Sequence, residues 1–298
     1  MARPTPRLAE DLDYPELFRA VDAKSDSSQR TFFAARAAEL VFLGSAAAFG
    51  LLTNQAFGGL GPILSVLLLL SALALQLSRV GAVAERRWYD ARAAAESIKS
   101  ASWQFAVGGE AFRLDGTDAD TAFVRRLQAV LESLQHLDIP ASTGSSRGAT
   151  ADMRELRTSP MAERARRYEL GRIDDQVAWY GRKTRSNKTR ARWWRTAVIA
   201  VEGAAIVAGL LRVGDRIDLD LLGVFAAVGA GMVAWTQAKG HTQLAEAYSV
   251  TSHEVGLVAA SIRNDLDEPV WAQTVHDAEA AFSREHTMWV VRRQAPKR

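Results

Sequence analysis

Cysteine is absent from the 298 residues. Its absence excludes disulfides, thiol nucleophiles and cysteine-ligated zinc or iron–sulfur sites. Histidine is scarce, and His136, His241, His253, His276 and His286 show no metal-ligand spacing. His253-Glu254 lacks the second histidine four residues on that a zinc protease needs. No glycine-rich phosphate loop follows a strand pattern, and Ser, His and Asp occur in no order that supports a triad. No cofactor, metal or catalytic site is therefore expected, and the chain reads as non-enzymatic. A surplus of one charge is also missing. The balance of 37 basic against 34 acidic residues leaves only +3, whereas a dedicated nucleic-acid binder usually carries a one-faced basic excess. The opening residues, with "AEDLDYPELFRAVDAKSD", lack the apolar core of a signal peptide. Membrane insertion would use internal segments.

Such segments are present where charge is missing. Leu40 to Ser78 contains no Asp, Glu, Lys or Arg, nor does Leu221 to Ala238, and Thr196 to Leu211 contains only Glu202. A spanning helix needs ~20 mostly apolar residues. Four such segments are expected, at about 38–56, 60–78, 194–212 and 219–238. The connections "TNQAFGG" and "RVGDRIDLD" are short enough to leave only antiparallel hairpins. Two buried hairpins in a soluble bundle are the alternative, but "LGPILSVLLLLSALALQLS" offers none of the polar outer face a soluble helix shows.

Basic residues orient the hairpins. Arg182, Lys183, Arg185, Lys188, Arg190, Arg192 and Arg195 precede the third segment; Arg79, Arg86, Arg87 and Arg92 follow the second; Lys24, Arg30 and Arg36 precede the first. The first tight turn has no Lys or Arg, and the second has two beside three Asp. The positive-inside rule places both termini and the long hydrophilic parts in the cytoplasm, as expected of a multi-pass protein of a bacterial inner membrane. The basic block reads as a lipid-facing flank worth about 1 kcal/mol per residue, rather than as a nucleic-acid site. Trp193 and Trp194 stand where interfacial aromatics belong.

The two hairpins are copies. A shift of 159 lays "RAAELVFLGSAAAFGLL" over "RTAVIAVEGAAIVAGLL", pairing Arg36 with Arg195 and Gly44 with Gly203. Without a gap it pairs Gly81 with Gly240 and Tyr89 with Tyr248. An ungapped match across both hairpins argues duplication. Beyond the bilayer, helical seams are expected at Ile173, Val177, Tyr180 and Thr184, at Leu244, Tyr248, Thr251, Val255, Val258 and Ile262, and at Val80, Ala84, Ala91, Ala95 and Ile98. One continuous helix over 60–103 would be about 66 Å long at 1.5 Å per residue. A further helix beginning at "TDADTAF" would bury Phe123, Leu127, Leu131 and Leu134. "DIPASTGSSRGAT" (138–150) reads as a linker between a first unit, 1–137, and a second, 151–298. The fold expected is all-α: two tandem transmembrane hairpins with long cytoplasmic helical stalks.

The stretch "TADMRELRTSPMAERARRYELGRIDDQVAWYGRKTRSNKTRARWWR", with the later "VHDAEAAFSREHTMWVVRR", resembles the SLATT superfamily, the SMODS- and SLOG-associating two-transmembrane effector domains. The resemblance is carried by Met153-Arg154, Arg172, Asp175, Gln176, Trp179, Tyr180, Glu285 and Trp289. "ELFRAVDAKSDSSQRTFF" and "AERRWYDARAAAESIKSASWQFAVGGEAF" resemble another branch, so the chain reads as two units in tandem. The resemblance implies a bacterial defence effector that oligomerises and forms a pore or permeabilises the membrane. Its trigger would be a sensor or nucleotide-signalling partner encoded separately. A non-conducting anchor, whose stalks recruit such a partner, is the competing reading.

Among single residues, Glu202 lies in mid-span, where an ionisable group is costly unless it faces a partner or water. It is either a pore residue or a carboxyl packed between helices. Gln76 and Gln237 are weaker candidates for the same path, and Glu39, three residues after Arg36, reads as half of an interfacial ion pair. Gly44, Ala48, Gly203, Gly223, Gly229 and Gly231 suit close helix packing. Asp175, Gln176, Trp179 and Tyr180 could line a ligand pocket or simply pack within a stalk.

Overall fold

The computed structural model describes residues 11–51, 59–116, 118–142, 144, 148–217, 221–261 and 267–294, with backbone alone at 261 and 283–294. Every regular element among them is helical. The longer ones are α1 (Glu16–Leu51), α2 (Leu60–Leu77), α3 (Val80–Val107), α4 (Ala119–Ser133), α5 (Ala151–Thr158), α6 (Met161–Tyr168), α7 (Asp175–Val213), α8 (Leu221–Lys239), α9 (His241–Ser261) and α10 (Glu268–Gln294). A 3₁₀ turn, Glu110–Phe112, follows α3, and a π-helical turn, Glu169–Asp174, joins α6 to α7.

α1 begins at Glu16 after non-helical residues, whereas α7 continues without a break from α6 through the π-helical turn, so the two copies differ where their first long helix begins. The continuous helix expected over 60–103 is instead broken, and α3 runs on to Val107. Arg79 adopts φ 55° between α2 and α3, and in the second copy Gly240 adopts φ 60° between α8 and α9. An arginine in the left-handed region is uncommon and costs energy that glycine does not pay. No sequence signal marks the first break.

The chain forms two compact units. One comprises residues up to Ser27, Arg87–Lys183 and Ala247 onward; the other comprises Ser28–Arg86 and Thr184–Glu246. Each draws on both copies of the repeat, so neither corresponds to one half of the chain.

The 28–86/184–246 unit contains the apolar hairpins. α1, α2–α3, α7 and α8–α9 are each long and apolar enough to cross a membrane, and only 6–11% of their most apolar windows is buried. Leu60, Ile63, Val66, Leu67, Leu70 and Leu73 of α2 are all exposed. So large an uncovered apolar surface marks a membrane-facing protein rather than a soluble bundle. Within the first hairpin, the Ser65 hydroxyl donates to the Ala46 carbonyl at 2.8 Å, and a side chain at Gly50 would meet that hydroxyl at 3.5 Å. In the second, Gly229 faces Val201 and Gly209 faces Leu222. Gly44, Gly203 and Gly231 meet nothing within 4 Å of the Cβ position in this chain.

The other unit has an aromatic core. Trp103, Phe105, Phe123, Tyr168 and Trp271 are fully buried. Three ring pairs, Trp103–Tyr168, Tyr168–Trp271 and Phe112–Phe123, pack edge to face at 5.7 to 5.9 Å, the geometry that aromatic quadrupoles favour. Asp118 caps α4 by accepting from the Thr121 amide, and Thr150 caps α5 by accepting from Met153. On α4, Val130 is buried and Leu131 is 48% exposed, so the inward face turns at Val130 rather than at the Leu131 expected. Val80 is likewise exposed, whereas Ala84, Ala91, Ala95 and Ile98 are buried. Ile173, Tyr180, Thr184, Thr251 and Val255 are buried as the seams predict; Ile262 lies outside the described residues.

Candidate functional site

Two sets of polar groups stand out, one in each unit. In the apolar unit, Glu202 and Gln237 line a single open groove of about 710 Å³ between α7 and α8. The rest of its wall is small or apolar, with Ala205, Gly229, Ala230 and Ala234 prominent. Glu202 itself is exposed. Its groove thus combines a carboxyl with the small residues that let another helix approach. Glu39 and Gln76 lie elsewhere and meet each other: the Gln76 amide donates to Glu39 at 2.6 Å, and the Arg36 guanidinium donates to it at 3.0 Å. The Glu39 side chain is 13% exposed. The first copy therefore neutralises its carboxyl internally. The second places its carboxyl four residues deeper than the position matching Glu39, which is Val198.

The basic residues Arg182, Lys183, Arg185, Lys188, Arg190, Arg192 and Arg195 are all exposed, while Thr184 and Asn187 between them are buried. Arginine and lysine thus occupy the outward positions of α7, and one polar stripe packs inward. Trp193, 62% exposed, stands edge-on to Trp194.

In the aromatic-core unit the outstanding feature is a buried ion pair. Arg172, on the π-helical turn, binds Glu279 of α10 through Nε at 2.9 Å and Nη2 at 2.7 Å. Both side chains are 1% exposed. The Tyr168 hydroxyl donates to the same carboxylate at 3.0 Å. Arg172 also lies over the Phe282 ring at 4.6 Å. The extra residue of a π-helical turn shifts side-chain direction, and such turns recur at functional positions; here Arg172 sits on it. Burial opposes the arginine's charge, but Glu279 holds the proton on it, raising its pKa above the ordinary value. Burial also lifts Tyr168 and Tyr14 well above the usual phenol range, with the negative charges of Glu279 and Asp11 adding to it. Tyr14 accepts from the Trp103 indole at 2.9 Å and donates to Asp11 at 3.0 Å.

The carbonyls at the C-terminal end of α3, which have no partner within the helix, collect donors from distant residues. Val107 accepts from Arg164 and from the Trp271 indole, and Phe105 accepts from Arg157. Arg164 also pairs with Glu268 at the start of α10. Cations at this end complement the helix dipole.

Of the stalk residues expected to act together, Trp179 and Tyr180 form a ring cluster with Tyr248, with centroids 5.1 to 5.8 Å apart. Asp175 and Gln176 are half-buried. Glu285 and Trp289 fall in α10, but their side chains lie outside the described residues. Glu279, Tyr168, Trp103 and Tyr14 were missed. A glutamate inside the apolar seam Val275, Ala278, Phe282 was the available signal for the first. No cluster of histidine and carboxylate side chains fit for a metal ion occurs among the described residues.

Two tandem pairs of apolar helices, each pair continuing into packed hydrophilic helices, define a multi-pass membrane protein of the two-transmembrane effector class. The chain belongs to the SLATT family: SMODS and SLOG-associating 2TM effector domain 3 matches residues 15–165, and domain 1 of the same series matches 168–289. It is thus a membrane effector of conflict systems carrying two such domains. The first match runs through residues 150–165, and the second begins at 168. No curated protein and no solved structure matches the chain.

Proposed function

We propose that the chain assembles into homo-oligomers in the bacterial inner membrane, and that activation opens a pore or otherwise permeabilises that membrane as an antiviral defence. The groove holding Glu202 and Gln237 carries this reading. An exposed mid-span carboxyl facing lipid is unfavourable by several kcal/mol. Contact with another copy, or with water in a shared path, removes that cost. Four spans are too few to enclose a wide channel alone. The trigger is a separately encoded sensor or nucleotide-signalling partner. No catalytic step, cofactor or nucleic acid is required.

The test is ion flux from liposomes containing the purified full chain, with insertion confirmed by carbonate resistance. Glu202→Leu is expected to change conductance or toxicity. Insertion without leakage under any trigger would refute the pore.

A second reading is favoured by one observation. Val250 and Leu257 of α9 are 60% and 76% exposed. They are seven residues apart, the spacing of a helix seam that docks another helix. In this reading the chain is a non-conducting anchor that recruits a partner through α9. Val250→Asp with Leu257→Asp would then abolish recruitment, and Glu202→Leu would not.

A further inference from the structure

The apolar unit contains a second cluster of charge, at the cytoplasmic border assigned to its second hairpin. Lys239 directly follows the charge-free run Leu221–Ala238. Its ammonium is held by aromatic faces, with Nζ 3.3 Å from the Phe33 centroid and 4.8 Å from that of Trp235. These rings meet edge to face at 6.0 Å. Two residues on, beyond the left-handed Gly240, His241 is 9% exposed and its Nδ1 lies 2.7 Å from the Asn187 amide oxygen. That bond fixes α7 against the start of α9. It brings Arg190, one turn beyond Asn187 on the same face of α7, to the same place. Arg190 repels both Lys239 and His241, and Lys239 repels His241.

Among the described residues, no carboxylate forms an ion pair with any of the three. The first copy differs at every one of these positions. A shift of 159 puts Ser28, Thr31, Val80 and Ala82 where the second has Asn187, Arg190, Lys239 and His241. At the comparable border the first copy has Arg36 already matched to Glu39. A basic cluster held by cation–π contacts and a buried hydrogen bond, with no acid to balance it, is organised for an anion. Its depth, one residue past an apolar span and beside an interfacial tryptophan, is that of lipid phosphate.

We infer that Lys239, Arg190 and His241 form a phosphate-binding site at the membrane border of the second hairpin, whose ligand is the phosphodiester of an anionic phospholipid headgroup. The site is independent of whether the protein conducts. Lys239 and Arg190 grip the phosphate oxygens, and His241, held by Asn187, closes the third side. Phe33 and Trp235 keep the ammonium from swinging into water.

The experiment uses the full chain delipidated in neutral detergent. Binding of phosphatidylglycerol and of phosphatidylcholine is measured by native mass spectrometry and by thermal shift. Arg190→Gln, Lys239→Gln and the double variant are compared with a control, Lys188→Gln/Arg192→Gln, which removes equal charge from the same flank. At about 1 kcal/mol per basic residue, each single change weakens phosphatidylglycerol binding roughly fivefold and the double about 25-fold. The control and phosphatidylcholine binding change little. Arg190 is exposed, so Arg190→Gln tests the site even where loss of Lys239 impairs folding. Equal losses in control and double variant would overturn the site in favour of diffuse attraction. Inorganic phosphate and glycerol phosphate form a separate arm. Stabilisation by these ions alone, matched by no preference for phosphatidylglycerol, would overturn the lipid assignment.

Discussion

Arg172 and Glu279 lie 107 residues apart in the chain and meet in a two-point ion pair in which both side chains are buried. A buried pair of this kind adds little net stability over an apolar substitute, but breaking it strands a charge. Glu279→Ala should therefore destabilise the folded protein by about 3–5 kcal/mol, because Arg172 would keep its charge while losing both of its hydrogen bonds to the carboxylate. The paired change Arg172→Met/Glu279→Leu should cost less than either single change. Thermal unfolding of the four proteins in detergent decides this. Additive losses would show that the two groups do not act as a pair.

The pair also explains a pH dependence. Burial lowers the pKa of Lys99, and the charge of Arg172 lowers it further, against the opposing pull of Glu96, Asp11 and Asp175. A lowered lysine pKa means that the folded state binds fewer protons than the unfolded state between the folded value and about 10.4. Stability attributable to Lys99 should therefore rise with pH through that window. Tyr14 and Tyr168 act in the opposite sense. Their raised values keep them protonated when the unfolded chain ionises, so stability falls above about 10. Denaturation midpoints from pH 7 to 11 should pass through a maximum. Lys99→Met should raise the neutral-pH end and flatten the rising limb, leaving the alkaline fall in place. An unchanged rising limb in that variant would assign it to other groups.

What the sequence makes legible depends on range. Charge-free runs and the shift of 159 are local or periodic, so the spans and the seam at Ile173 and Tyr180 can be read directly. The break at Arg79 cannot, because an arginine there carries no left-handed signal, and the second copy breaks two residues further on, at Gly240, whose match under the shift is Gly81. The choice of Val130 over Leu131 is also hidden, since spacings of three and four fit both until the partners of α4 are known. The merging of both copies into each compact unit depends on contacts such as Trp103 to Tyr168 and Trp271 to Val107, far apart in sequence. Of the candidate membrane residues, the chain brings Glu202 to Gln237 and Glu39 to Gln76. Nothing in the separate segments shows that pairing.

The orientation in the membrane follows from charge and is open to direct measurement. The seven basic residues at 182–195 should hold the N-terminal end of the third segment in the cytoplasm. The ungapped duplication gives the first segment the same direction. Because the chain has no cysteine, single cysteines report position without background. Asp215, in the turn between α7 and α8, should react with a membrane-impermeant thiol reagent in intact cells. Asp115, exposed between α3 and α4, should react only after lysis. Asn54 and Ser145, which lie outside the described residues, are expected to behave like Asp215 and Asp115 respectively. Labelling of Asp115→Cys in intact cells together with protection of Asp215→Cys would invert the topology. It would also place the Lys239 cluster on the outer leaflet. Neutralising Arg182, Lys183, Arg185 and Lys188 together should scramble the second hairpin more than the first, because the first keeps Lys24, Arg30 and Arg36. If that variant keeps a single orientation but loses a salt-sensitive nucleic-acid affinity, the basic block serves a nucleic acid instead of the membrane.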